Sequence, residues 1–172
     1  MKRDISIICG IAEKCNLKCI YCPQNSQVYG AEGVNSEIST KNLENMSFDT
    51  FRKVYDNIDG VFDEFHFAGF GEPLINKDFL QIFDYALKNN NDRFDKFYVF
   101  TNATLMNKEL TDKIIKGIQK NRKQVYFIFS VGTDNQNTYK KLKNSDSLNI
   151  VKTNIIYFLN QVKSNNLWDK VK

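Results

Sequence analysis

Four short runs of aromatic, aliphatic and β-branched residues, at 5–11, 64–68, 96–101 and 125–131, alternate with stretches of helical periodicity, and this alternation constrains the fold more than any other feature. Each run reads as a strand. The last of them holds Val125, Tyr126, Phe127, Ile128 and Phe129, a nearly continuous apolar pattern that predicts a parallel strand covered on both faces. Strand, helix and strand in repeated order build right-handed βαβ units, so the expected fold class is α/β. The second, third and fourth runs begin about 30 residues apart, the unit length of a barrel that spends roughly 250 residues on eight βα units. About four units are present, which makes the expected architecture a partial parallel (β/α) barrel. A fifth strand is expected to begin near Lys170, with the fourth left as an exposed edge.

Helical stripes fill the gaps. Phe48, Phe51, Tyr55 and Ile58 follow Ser47; Phe79, Ile82, Phe83, Ala86 and Leu87 follow Asn76; Leu110, Ile114, Ile115 and Ile118 follow Asn107; Val151, Ile155, Phe158, Leu159 and Val162 form a fourth set. Residues spaced three and four apart share one helix face, so these stripes predict helices packed on the outside of the sheet. Ser47 and Asn76 are the expected N-caps. Residues 134–142 read as a short additional helix capped by Asp134, and Asn89, Asn90 and Asn91 as a loop.

The composition fits an ordinary globular domain of 172 residues, 42% hydrophobic and 26% charged, which removes roughly 70% of its unfolded surface from water and needs no disulfide framework. No apolar run approaches the roughly 20 residues that cross a bilayer. Lys2 and Arg3 before Ile5 imitate the start of a secretory leader, but no small-residue cleavage site follows, so a cytoplasmic protein is expected. The net charge of +4 comes from scattered lysines and arginines. A solvated surface is the expectation, with neither a membrane nor a nucleic acid as partner.

Chemistry enters with the cysteines. Cys15, Cys19 and Cys22 stand in CNLKCIYC directly after the first strand. Thiolates this close on a loop can converge on one metal centre, and soft sulfur ligands select zinc, copper(I) or an iron–sulfur cluster. A closed zinc site wants four N or S ligands, and the remaining candidates, Cys9 and His66, are not at zinc-finger spacing.

CNLKCIYC resembles the CxxxCxφC signature of the radical S-adenosylmethionine (radical SAM) enzymes, with Tyr21 in the aromatic position. The resemblance runs on through almost the whole chain. Gly69, Phe70, Gly71, Glu72, Pro73 and Leu74 resemble the glycine-rich GGEP segment; Thr101, Asn102, Ala103, Thr104 and Leu105 resemble TNGTL; Ser130 to Gly132 and Tyr139 to Lys143 resemble SxD and YxxxR. Together they are most similar to the branch that modifies peptides and proteins, the SPASM and sulfatase-maturing enzymes. Three residues differ from the pattern: Gly132 stands for Asp, Ala103 for Gly and Lys143 for Arg. Each segment falls at the C-terminal end of a predicted strand, the rim on which barrel active sites lie. Glycines there are expected to let backbone approach a ligand closely.

The resemblance implies a radical SAM core domain at residues 1–172, truncated before the fifth of an expected six βα units. It implies a 4Fe-4S cluster on Cys15, Cys19 and Cys22, whose open iron binds S-adenosylmethionine. Reductive cleavage would give a 5′-deoxyadenosyl radical that abstracts hydrogen from a peptide or protein substrate, with flavodoxin or ferredoxin as electron donor. The implied cofactor-binding residues are Tyr21, Gly69, Phe70, Gly71, Glu72, Pro73, Thr101, Asn102, Ser130 and Lys143; no catalytic side chain is singled out. The alternative is a non-catalytic iron–sulfur or partner-binding module. His66 shares strand parity with Glu64 and Ala68 and is expected to point into the barrel as a hydrogen-bonded histidine rather than a catalytic one, and Cys9 reads as a buried structural thiol.

Overall fold

The computed structural model describes residues 3–23 and 44–172. Strands β1 (Arg3–Cys9), β2 (Phe62–Phe67), β3 (Phe94–Thr101) and β4 (Gln124–Phe129) form one parallel sheet in the order β1-β2-β3-β4. Helices α1 (Phe48–Asp56), α2 (Phe79–Lys88), α3 (Lys108–Gln119), α4 (Gln136–Lys143) and α5 (Leu148–Ser164) connect and follow them, with a 3-10 turn at Pro73–Ile75. This is the α/β, partial parallel barrel that the alternation predicts, and the sheet is not closed. Among the described residues no helix is long and apolar enough to cross a membrane.

Parity along the strands divides the sheet into two faces. Phe65, Phe67, Phe97, Val99, Val125 and Phe127 are buried beneath the helices against Phe51, Tyr55, Phe79, Phe83, Ile114, Ile118 and Phe158. Tyr55 and Phe65 meet edge to face with centroids 5.4 Å apart, and Phe127 and Phe158 lie 4.6 Å apart. Each such side chain contributes about 1.5–3 kcal/mol by leaving water, so this aromatic layer dominates the stability of the fold. The opposite face is open: Ile8 is 67% and Ile128 40% exposed. The expectation that 125–129 is covered on both faces is therefore corrected, because Tyr126 and Ile128 alternate away from the helices.

Polar side chains fix the helix ends and the loops opposite the cysteines. Ser47 caps α1 by accepting from the Thr50 N–H, and Asn107 caps α3 by accepting from the Leu110 N–H. Asn76 is not the cap of α2, which starts behind Asp78. It closes the 3-10 turn instead, and its amide donates to the Ile11 and Met46 carbonyls at 2.7 and 2.9 Å, clasping the chain after β1. The short helix α4 is capped by Asn135, which accepts from the Thr138 N–H, rather than by Asp134. In the loop of asparagines, Asn90 is buried and pairs with both backbone groups of Phe94, setting the start of β3. Arg93 donates to the carbonyls of Tyr55, Ile58, Asn89 and Asn90 while its guanidinium lies 4.4 Å from the Tyr55 ring centroid. One cation thus satisfies the carbonyls at the ends of two helices.

The outer edge of β4 is also not bare. Val171 bridges Val125 in parallel, with the Val125 N–H donating to the Lys170 carbonyl at 2.7 Å and the Phe127 N–H to the Lys172 carbonyl at 3.0 Å. Pairing thus begins where the spacing places a fifth strand, and it covers part of the edge that was expected to be exposed.

Candidate functional site

The C-terminal ends of the strands surround a cleft of about 310 Å³. Cys15, Cys19, Tyr21 and Cys22 line it from the loop after β1, Gly69, Phe70, Gly71 and Glu72 from the loop after β2, Thr101 and Asn102 from the end of β3, Ser130 from behind β4 and Lys143 from the end of α4. Every candidate named from the sequence reaches the cleft except Pro73, which opens the 3-10 turn and is buried. Leu17, Pro23 and Phe100 also line it, from positions the sequence did not single out.

Glu72 holds three of these loops together. Its carboxylate is 3% exposed and accepts from the Thr101 hydroxyl at 2.7 Å, the Asn102 N–H at 2.7 Å and the Leu74 N–H at 3.1 Å, while its own N–H donates to the Lys14 carbonyl at 2.9 Å. Burial pushes the Glu72 carboxyl above the usual carboxylate range, opposed by these bonds and by the charge of Lys143. With its oxygens largely occupied by the protein, Glu72 shapes the cleft as a positioning residue. Gly71 serves the same junction, since a Cβ there would collide with the carbonyl oxygens of Ala12 and Lys14. The expected reason for this glycine, room for a ligand, is corrected: the chain's own backbone occupies the space.

A closed ring of side chains joins the cysteine loop to the end of β3. Asn102 donates to Asn16 Oδ1 at 3.0 Å, Asn16 donates to the Thr104 hydroxyl at 2.7 Å, and Thr104 donates to Asn102 Oδ1 at 2.6 Å. The Asn102 amide also approaches Cys15 Sγ at 3.9 Å, and the Leu17 N–H reaches the same sulfur at 3.5 Å. Ala103 follows at φ +60°, the left-handed region that disfavours a Cβ, held there by a bond from its N–H to Thr101 Oγ1 and one from Asn154 to its carbonyl. This conformation accounts for glycine at the matching position of the TNG pattern.

Lys143 braces the other side. It is 1% exposed, donates to Ser130 Oγ at 3.0 Å and lies 5.1 Å from the Tyr21 ring centroid, while the Ile20 N–H bonds to the Leu142 carbonyl. Burial raises the thiol pKa of Cys15 and of Cys19, and the ammonium of Lys143 opposes the rise at Cys19. Cys9 lies outside the cleft, packed against the aromatic core, and burial pushes its thiol up to about 11. The cleft therefore offers three soft thiols from one loop, a donor set that fits an iron–sulfur cluster taking one thiolate per iron. Among the described residues no three His, Cys, Asp or Glu side chains are gathered tightly enough to hold a single metal ion.

A sequence model of the Radical SAM superfamily matches residues 10–167, from the residue after β1 through β2, β3, β4 and all five helices. The chain belongs to the radical SAM superfamily. This radical SAM chain is 32% identical over 112 residues to the uncharacterized protein MJ0907 of Methanocaldococcus jannaschii, covering 63% of the chain and 34% of that protein. In fold it is similar to the crystal structure of BtrN in complex with AdoMet and 2-DOIA, with a TM-score of 0.52 and 16% identity over 74% of this chain and 46% of that one. The chain spans less than half the length of either protein. The superfamily in general works with S-adenosylmethionine and an iron–sulfur cluster, and the partial barrel is of the radical SAM type.

Proposed function

We propose that the cleft binds a 4Fe-4S cluster through Cys15, Cys19 and Cys22 with S-adenosylmethionine beside it, and that the protein abstracts hydrogen from a peptide or protein substrate. The observation that carries this reading is the meeting of the cysteine loop with the ends of β2, β3 and β4 around one cleft. When bound, the cluster supplies the electron that cleaves S-adenosylmethionine to methionine and a 5′-deoxyadenosyl radical, the species that takes the hydrogen.

The chain's own residues orient the reactants. Tyr21, 48% exposed, offers a ring face for adenine. Gly69, Phe70 and Gly71 present backbone groups to the amino end, and Ser130 reaches toward the ribose or carboxylate. Among the described residues Lys143 uses one donor on Ser130, and its others can reach a carboxylate, which it would hold as a point charge rather than with the bidentate grip of arginine. Thr101 and Asn102, fixed by Glu72, hold the floor of the cleft in shape. Ile20 is 50% exposed beside Tyr21, so an electron donor such as flavodoxin or ferredoxin can approach the cysteine loop directly.

The peptide or protein substrate is supported by the likeness of the GGEP-like and YxxxR-like segments to the peptide-modifying branch. Four free cysteines favour a reducing compartment, the cytoplasm. The test is to reconstitute the protein anaerobically, reduce it with dithionite and quantify 5′-deoxyadenosine. We expect nucleoside formed in step with S-adenosylmethionine consumed, and none from Cys19→Ala. A stable cluster without nucleoside would favour the non-catalytic iron–sulfur module instead.

A further inference from the structure

The open face of the sheet carries a second constellation. Parallel register sets its side chains in rows: Ser6, Glu64, Lys96 and Gln124 form one, Ile8, His66, Tyr98 and Tyr126 the next, and Phe100 with Ile128 the row nearest the strand ends. The rows grade from polar through aromatic to apolar as they approach the cleft. Phe100 belongs to both places, since it lines the cleft and its ring lies 5.6 Å from that of His66.

Glu64 is the hub. Its Oε2 accepts from the Ser6 hydroxyl at 3.1 Å and faces His66 Nε2 at 2.8 Å, and its Oε1 accepts from the Tyr98 hydroxyl at 3.1 Å with Lys96 Nζ at 3.8 Å. The bond with His66 leads the interactions that hold the Glu64 carboxyl below its ordinary range. An ionised carboxylate only accepts, so Nε2 carries a proton, and in the neutral imidazole Nδ1 is then the acceptor. The His66 ring is flanked by Tyr98 at 4.6 Å, and Tyr98 stacks in turn on Tyr126 at 4.6 Å. Among the described side chains of these rows, Glu64 and Lys96 are opposite charges 3.8 Å apart, so each already has a partner and the pair does not favour an anionic or a cationic group. Ring faces that are left open, with Phe100 36% exposed, favour another ring by stacking.

We propose that His66, oriented by Glu64, is the residue with which this face grips its substrate: Nδ1 accepts a hydrogen bond from an aromatic side chain bearing a donor, laid along Tyr98 and Phe100 beneath the cleft. The proposal rests on the reading of the cleft given above and names the kind of substrate residue presented to it. Continuity through Phe100 is what assigns the face to a substrate.

The chain contains a single histidine, so nitrogen NMR of histidine-labelled protein reads His66 alone. We expect the Nε2–H tautomer in the free protein and loss of that preference in Glu64→Gln. Titration with p-cresol should shift Nδ1 saturably, and toluene, which has the ring without the donor, should not. His66→Phe should weaken p-cresol binding about fivefold, the loss of one hydrogen bond, and leave toluene unchanged. An Nδ1–H tautomer, no shift with p-cresol or equal shifts with both compounds overturns the proposal. A His66 shift that follows protein concentration alone assigns the face to a second copy and overturns it too. The titration needs no cluster, so protein that forms 5′-deoxyadenosine yet fails it loses only this grip, and protein that passes it without forming nucleoside loses only the proposed activity.

Discussion

Replacing Cys15, Cys19 or Cys22 singly with Ala is expected to abolish the iron–sulfur cluster of the anaerobically reconstituted protein, whereas Cys9→Ala leaves iron and acid-labile sulfide unchanged. The three thiols share the rim cleft and each is expected to occupy its own iron, so no neighbour replaces a lost one. Cys9 faces the helices from β1, and its thiol, pushed up to about 11, behaves as a small apolar side chain. Burial also holds the Cys15 and Cys19 thiols protonated above their ordinary range, so loading must displace protons and should become more complete as pH rises. Iron and sulfide analysis of the four variants decides the matter. A full cluster in Cys19→Ala contradicts the assignment.

Glu72→Ala is expected to be the most damaging change at the rim that removes no cluster ligand. It leaves the Thr101 hydroxyl and the N–H groups of Asn102 and Leu74 buried without their acceptor, at about 1–3 kcal/mol for each donor that finds no replacement. A loss of about 3 kcal/mol or more in urea denaturation is expected. Glu72→Gln isolates the charge. Because burial raises the folded-state pKa of Glu72, the folded protein holds that proton more tightly than the unfolded chain does. Its contribution is fully present below the unfolded value of about 4.3 and is lost as pH rises through the folded value. Wild-type stability should therefore fall relative to Glu72→Gln as pH rises across that window, and parallel pH profiles would count against a buried, proton-retaining carboxyl.

The strands and the helix stripes were legible because each helix, and most of the sheet, shows its periodicity locally. Phe65 and Phe67 on one side of β2, with Glu64 and His66 on the other, announce two faces without any knowledge of partners. The continuous apolar run of β4 misled for a related reason: Tyr126 and Ile128 are aromatic or aliphatic yet face the open side, so composition alone implied a second cover that is absent there. Asn76 has the local signature of a cap, but its partners Ile11 and Met46 lie 65 and 30 positions away.

At the rim, cysteine spacing and glycine-rich turns pointed to segments that the fold brings together around one cleft. Their internal wiring was hidden. Asn16 and Thr104 meet only because two loops 88 residues apart are brought side by side, and Gly71 is demanded by the backbone at Ala12 and Lys14 rather than by a ligand. Local pattern identifies which residue types gather at the strand ends, and only the packing of one loop on another shows which of them face the cleft and which hold it open.

In the proposed site three thiolates hold a cluster in the rim cleft with one iron open to S-adenosylmethionine. Electron paramagnetic resonance of the reconstituted, dithionite-reduced protein tests this most directly, recorded before and after S-adenosylmethionine is added. A reduced-cluster signal whose g-values shift when S-adenosylmethionine is present is the expected result. A cluster signal that stays unchanged, or no cluster signal at all, would contradict it.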